Sequence, residues 1–117
     1  MIPRKHPRFI VQIPAFFTRD RRGKGDITNL SMGGCCMQNV EAGVDVKGIL
    51  TLYLHLSAHE QPLRVDAAHV RWNAASNFGL SFLFMETREL HRLAQYIERL
   101  GSDNRPTGAA FRITQPP

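Results

Sequence analysis

The chain has 117 residues, which is enough for one compact domain and too few for two. Its 43% hydrophobic and 21% charged residues are typical of a globular domain and exclude bulk disorder. The formal net charge of +5 indicates an anionic partner. The longest mostly apolar stretch, 48–56, is too short to cross a bilayer, and no signal-like apolar block follows the basic N-terminus. We therefore expect a cytoplasmic protein without a membrane span.

Short β-strands are the predicted elements over most of the chain. Apolar and β-branched residues alternate with polar ones at period two, and Gly-, Asn- and Asp-containing turns separate the runs. We place a turn at 19–25, where two glycines lie among charged residues. The predicted strands are 9–18, 26–30, 34–40, 48–56, 63–72 and 78–85.

The hydrophobic period changes from two to that of a helix near the end of the chain. Thr87 is placed to cap this helix and Gly101 to end it. Residues 102–117 are rich in Pro, Gly and small residues, which predicts a flexible tail. The apolar residues that share one helical face are Leu90, Leu93, Ala94, Ile97 and Leu100.

The element order predicts a mainly β fold, a six-stranded antiparallel β-barrel with a C-terminal α-helix covering one end. We expect a single domain at 1–101. Within it, 1–8 is a flexible basic arm, 9–86 is the barrel and 87–101 is the helix.

Two short motifs flank the first predicted hairpin. Arg4 and Arg8 have the spacing R-x-x-x-R, and N-x-S-x-x-G follows about twenty residues later. Pairing of the first two strands around a turn near Arg21 gives residue numbers that sum to roughly 43. Asn29 would then lie opposite about Pro14, and Arg8 opposite about Cys35. The arginine segment is therefore expected beside the N-x-S-x-x-G turn, at one end of the sheet.

This pair of motifs, with the predicted strand count, resembles the PilZ domain family over nearly the whole chain, from Arg4 to Leu100. PilZ domains typically bind the bacterial messenger cyclic di-GMP, so the resemblance implies this ligand and no other cofactor. Family members often carry a further arginine where this chain has Pro3, which leaves open whether one or two nucleotides bind. The implied ligand-binding residues are Arg4, Arg8, Asn29, Ser31, Gly33 and Gly34, with Lys5, His6 and Trp72 as possible additions.

The chemistry of these residues suits a guanine nucleotide. A guanidinium group meets guanine N7 and O6 together, or grips a phosphate in two-point geometry. Asn29 offers an acceptor for guanine N1 and N2 hydrogens, and Ser31 a donor to phosphate. Gly33 and Gly34 permit positive φ and close backbone approach. The sequence leaves open which arginine contacts the base and which the phosphate.

Catalysis and metal binding find no support in the sequence. No nucleophile is accompanied by a base and an orienting group, and neither a carboxylate pair nor metal-ligand spacing occurs. Cys35 and Cys36 are adjacent in a predicted strand, so one should be buried and the other exposed. Small apolar filling is the interpretation we adopt for at least one of them.

We expect a receptor whose surface changes on nucleotide binding, regulating an unidentified downstream protein in motility, biofilm or exopolysaccharide control. One alternative is an adaptor of the same fold that acts through protein contacts without nucleotide. Another is a basic barrel that binds single-stranded nucleic acid, which usually requires exposed aromatic residues along a groove. The sequence disfavours that mode because most of its phenylalanines resemble core residues, namely Phe9, Phe16, Phe17, Phe78, Phe82 and Phe84.

Overall fold

The predicted antiparallel barrel with a C-terminal helix is confirmed in the computed structural model, which describes residues 6–20, 22–40, 47–74 and 76–103. The predicted first strand has the expected bounds, and the other elements differ by a few residues at their ends. In the described ranges the elements are β1 (Phe9–Thr18), β2 (Arg22–Leu30), β3 (Gly34–Gln38), β4 (Ile49–Leu54), β5 (Leu63–Ala74), β6 (Asn77–Phe84) and α1 (Thr87–Asp103).

The strands close into one barrel with the order β1-β2-β3-β6-β5-β4. Every neighbouring pair is antiparallel, and β4 pairs with β1 to complete the ring. Consecutive strands are neighbours except for β3 and β4, so the β3–β6 and β1–β4 pairings bring together strands that are not consecutive in sequence. Closure removes the exposed sheet edges that an open arrangement would leave.

The core is formed by the alternate residues of each strand that point into the barrel. In β1 these are Ile13, Ala15 and Phe17, each at most 4% exposed. Leu93 of α1 is fully buried with them and Ile97 packs against this cluster, whereas Leu90 and Ala94 of the predicted apolar face are exposed. Burying such a leucine contributes about 1.5–3 kcal/mol to stability, which makes Leu93 a main anchor of α1.

The start of β2 differs from the prediction. Residues 22–25 belong to the strand, because Gly23 and Gly25 serve close packing and not the turn. A Cβ on Gly23 would collide with the ring of Phe17, and one on Gly25 would lie 2.8 Å from the Gln38 carbonyl oxygen. A larger residue at either position would therefore push the neighbouring chain away.

The earlier start of β2 shifts the register of the first hairpin. The pairs run from Thr18–Arg22 to Phe9–Leu30, so their numbers sum to about 40 and not 43. Asn29 therefore pairs with Ile10, whereas the predicted partner was Pro14. Arg8 directly precedes the Phe9–Leu30 pair, which places it level with Ser31 and not with Cys35.

Helix α1 begins at Thr87 as predicted, but its capping residue and its end differ from the prediction. The amide of Leu90 donates to the Glu86 carbonyl at 2.9 Å, so Glu86 holds the cap position expected for Thr87. Gly101 lies inside the helix, which continues to Asp103. Within the described ranges no helix is long and apolar enough to cross a membrane. Residues 1–5 of the expected basic arm at 1–8 and residues 104–117 of the expected tail at 102–117 lie outside the described residues, and 102–103 belong to α1.

Candidate functional site

The turn between β2 and β3 is organised by the hydroxyl of Ser31. This oxygen accepts hydrogen bonds from the amides of Gly33 at 3.1 Å and Gly34 at 3.2 Å, and it donates to the Gly34 carbonyl at 3.3 Å. The Ser31 amide donates to that same carbonyl at 2.9 Å. Ser31 is only 6% exposed. Its side chain therefore holds the N-x-S-x-x-G segment in a serine turn, a local bond pattern favoured by hydroxyl residues.

The two glycines of this turn do not adopt the positive φ that the sequence suggested. In the described ranges, positive φ occurs at Gly48 and Asn39. The expected close approach does occur at Gly34, where a Cβ would collide with the Leu80 carbonyl oxygen of β6. The Gly33 carbonyl accepts the Phe82 amide at 2.9 Å. Both glycines thus fix the turn against β6.

The described end of the basic arm lies against this turn. A Cβ on Gly33 would be 2.9 Å from Cδ2 of His6, so the imidazole rests on the glycine backbone. Arg8 is exposed and makes no ion pair with any described residue. Its guanidinium is therefore free to bind an anion. Arg4 and Lys5 lie outside the described residues.

A row of outward-facing positions crosses the barrel beside the turn. The strand registers connect Ile10 to Asn29, Asn29 to Cys36, Cys36 to Gly79, and Gly79 to Trp72. Trp72 is 49% exposed, and its indole covers Gly79 so closely that a Cβ there would collide with the ring. The row therefore offers an amide at Asn29 and an aromatic surface at Trp72. We call these five positions the outer row.

The two cysteines occupy different environments, as their adjacency in a strand predicted. Cys35 is buried in the core, and Cys36 is partly exposed in the outer row. Burial, with a smaller contribution from neighbouring Cys36, raises the pKa of the Cys35 thiol far above its usual range. Cys35 is therefore an inert core residue. Among the described residues no group of His, Cys, Asp and Glu has the geometry to hold a metal ion.

The structure thus brings most of the predicted binding residues to one region of the barrel surface. His6, Arg8, Ser31, Gly33 and Gly34 lie at the turn, with Asn29 and Trp72 in the adjoining outer row. Their contacts with a ligand stay a prediction. The sequence alone does not identify Ile10, Cys36 or Gly79 as neighbours of this site. An isolated glycine in a strand often marks a close approach, so Gly79 carried a usable signal.

Comparison with known proteins agrees with this fold. The family model for the PilZ domain matches residues 3–99. A search of curated proteins gives no significant match.

Three solved structures are similar in fold. The inhibitor of motility MotI/DgrA of Bacillus subtilis has a TM-score of 0.72 at 18% identity, covering 90% of this chain and 54% of that chain. This chain therefore spans about half of the Bacillus protein. The PilZ domain of CeSA from a cellulose-synthesizing bacterium gives 0.63 at 14% identity, covering 81% of this chain and 98% of that one. An uncharacterised Legionella protein gives 0.57 at 18% identity, covering 81% and 94%.

At these identities the similar structures support the fold alone, whereas the family model covers most of the chain together with both motifs. The chain belongs to the PilZ domain family.

Proposed function

We propose that this protein is a cyclic di-GMP receptor that binds the nucleotide between its basic N-terminal arm and the β2–β3 turn. The observation that carries the proposal is the first hairpin register, which places Arg8 level with the Ser31 turn. Arg8 of the first motif and the Ser31 turn of the second therefore lie on one surface. Arg8 makes no competing ion pair with a described residue, so a phosphate or a guanine edge is a suitable partner for its guanidinium.

The outer row supplies the groups that would recognise the base. Asn29 is partly exposed, so its side-chain oxygen is available to accept the guanine N1 and N2 hydrogens. Trp72 presents an aromatic surface in the same row. Purines stack on such surfaces with a gain of about 1–3 kcal/mol per base. Arginine, amide and aromatic groups thus favour a planar anionic nucleotide over a simple anion.

On this proposal the nucleotide orders the arm over the barrel and changes the surface seen by a downstream protein. The ligand shifts that equilibrium only by its differential affinity for the two arm states. Control of motility, biofilm or exopolysaccharide output is the proposed role, in line with similar structures of an inhibitor of motility and of a domain from a cellulose-synthesizing bacterium.

The alternative of an adaptor without nucleotide has one observation in its favour. The Ser31 hydroxyl already makes three hydrogen bonds within its turn, so the turn is complete without a ligand. An adaptor would keep its partner contacts after loss of Arg8, whereas a receptor would lose nucleotide control.

Calorimetric titration with cyclic di-GMP tests the receptor proposal, with GTP and cyclic di-AMP as competing ligands. We expect guanine-selective binding that Arg8→Ala weakens by about 2 kcal/mol, the size of a charge-assisted contact, and Arg4→Ala similarly. Arg19→Ala is the matched control, because Arg19 is exposed beyond the opposite end of β1. The single tryptophan, Trp72, provides a fluorescence readout of the same titration.

Equal affinities of wild type, Arg8→Ala and Arg4→Ala would contradict the proposed site. No binding to wild type at high nucleotide concentration would contradict the receptor function and favour the adaptor.

A further inference from the structure

A second concave surface lies away from the predicted nucleotide site, between α1, the outer face of β1 and β4, and the loop that joins β4 to β5. It is a groove of about 930 Å³, within the size range of functional ligand clefts. We call it the α1 groove. Its floor contains Phe16 and Tyr53, and one wall carries Arg88, Arg92 and Arg99.

The floor of the α1 groove is an aromatic pair that faces outward from the barrel. Phe16 and Tyr53 are register partners on β1 and β4, and their rings stack with centroids 4.5 Å apart and planes 12° apart. The Arg22 guanidinium lies 4.2 Å from the Phe16 ring centroid, a cation–π contact. Both rings are only partly buried, so they leave apolar surface at the bottom of the groove.

The helical wall is basic along one stripe. Arg88, Arg92 and Arg99 are four and seven residues apart, a spacing that aligns side chains on one helical face. Arg92 is occupied, since it contacts Glu89 at 3.2 Å, Glu60 at 3.3 Å and the Gln61 carbonyl at 2.7 Å. Arg88 and Arg99 are exposed and make no ion pair with any described carboxylate. Arg88 and Arg99, which have no ion pair with a described carboxylate, thus lie on either side of Arg92, whose charge is neutralised by Glu60 and Glu89.

We propose that the α1 groove binds an acidic segment of a partner protein, one that carries an apolar side chain between its carboxylates. The carboxylates would pair with Arg88 and Arg99, and the apolar side chain would pack on Phe16 and Tyr53. This inference rests on the proposed function, for which it supplies the contact with the downstream protein.

Charge within the groove favours a peptide over a nucleic acid. Glu60, Glu86 and Glu89 also line it, and a polyphosphate chain with its closely spaced charges would meet these carboxylates. A peptide places its acidic side chains further apart, and its backbone can bond to polar groups such as Ser57 and Gln95 in the lining.

One contact connects the groove wall to the nucleotide side of the barrel. The Phe9 ring, next to Arg8 in sequence, would lie 3.8 Å from a Cβ on Gly101 of α1. Ordering of the arm would therefore restrict Phe9, and Phe9 contacts the C-terminal part of α1 at Gly101. This contact gives the nucleotide a direct route to change affinity at the α1 groove.

Fluorescence anisotropy of a labelled peptide tests the inference. The probe is Gly-Glu-Gly-Ser-Trp-Leu-Ser-Gly-Glu-Gly, in which an apolar pair separates two glutamates. Its control has Gln in place of Glu, and labelled oligothymidylate serves as the nucleic-acid probe. We expect the acidic peptide alone to bind, and the double variant Arg88→Glu/Arg99→Glu to weaken it by at least about tenfold. Lys47→Glu is the control for Arg99→Glu, because it makes the same charge change on an exposed residue outside the groove. Lys47 precedes the first residue of β4, whereas Tyr53 of the groove lies near its last residue.

Equal peptide affinities of Arg99→Glu and Lys47→Glu would overturn the inference, since binding would then reflect net charge alone. Tighter binding of oligothymidylate than of the acidic peptide would also overturn it. Repeating the titration with and without cyclic di-GMP separates the two proposals. Peptide binding without any nucleotide binding supports the groove and contradicts the receptor, whereas nucleotide binding without peptide binding does the reverse.

Discussion

Ser31 shows how one residue can satisfy a family motif for a structural reason. Its hydroxyl accepts from two amides and donates to a carbonyl within its own turn, and the residue is 6% exposed. A phosphate would have to compete with these bonds for the hydroxyl hydrogen. The geometry therefore favours Ser31 as the residue that shapes the turn, while Arg8 and Asn29 retain the free polar groups.

Replacement of Ser31 by alanine should destabilise the fold. The variant leaves the amides of Gly33 and Gly34 without their acceptor in a part-buried turn, which costs about 2 kcal/mol. Urea denaturation of Ser31→Ala against wild type measures this loss.

The matched control is Ser57→Ala, because Ser57 accepts one hydrogen bond, from the His59 amide, in an exposed loop. We expect it to change the free energy of unfolding by less than about 0.5 kcal/mol. Equal losses of unfolding free energy in the two serine variants would show that the Ser31 hydroxyl contributes no more to stability than a serine in an exposed loop.

At the scale of elements, periodicity in the sequence was sufficient for the strand count and the helix but not for the register. β1 and the existence of α1 follow from alternation and 3.6-residue spacing, which are local properties, but Leu90 and Ala94 of the predicted apolar face are exposed. The start of β2 could not be predicted from alternation, because the segment 22–25 combines charged residues with two glycines and resembles a turn. What makes it a strand is the Phe17 ring lying over Gly23, a contact that only the folded barrel creates.

The candidate site was predictable to a similar extent. The motif spacing located the region of Arg8, Asn29 and the glycine turn, because an antiparallel hairpin returns the chain to the same end of the sheet. The outer row was not predictable, since the β3–β6 pairing joins strands distant in sequence. That pairing alone brings Trp72 and Gly79 next to Cys36.

Two glycines in different elements should respond oppositely to alanine. Gly34→Ala places a methyl group against the Leu80 carbonyl, where rigid strand backbone must move, so we expect a loss of about 2 kcal/mol. Gly101→Ala meets only the Phe9 ring at an ordinary 3.8 Å within a helix, so we expect a gain of about 0.5 kcal/mol.

Thermal or urea unfolding of these two variants measures both changes, and each serves as the control for the other. A Gly34→Ala variant as stable as wild type would show that β3 and β6 can separate without cost. A loss in Gly101→Ala would contradict the helical role assigned to that residue.

At the scale of the whole molecule, the closed barrel presents different chemistry on its outer surfaces. Residues that alternation would assign simply to the core, such as Phe16 and Phe84, point partly or fully outward, and Phe84 is 58% exposed. Phe17 and Phe78 are buried as predicted. The outward aromatic residues are therefore available for binding. Helix α1 contacts Phe9, the residue after Arg8, and also forms one wall of the α1 groove.

The buried Cys35 thiol should make the stability of the whole barrel fall at alkaline pH. Burial raises its folded-state pKa above the unfolded value of about 8.5. Its contribution to stability is therefore complete below that unfolded pKa and is lost as pH rises above it, because the unfolded chain releases the proton first. Above this pH the free energy of unfolding should decrease by up to about 1.4 kcal/mol per pH unit.

Urea denaturation under reducing conditions, from about pH 7 to about pH 9.5, spans the range in which a free thiol ionises. It should show this slope in wild type and a smaller one in Cys35→Ala. Cys36→Ala is the control and should keep the wild-type slope, since Cys36 is partly exposed and adds only the smaller contribution to the raised pKa. Identical slopes in wild type and Cys35→Ala would show that the thiol ionises as readily in the barrel as in the unfolded chain, and would contradict its place in a dry core.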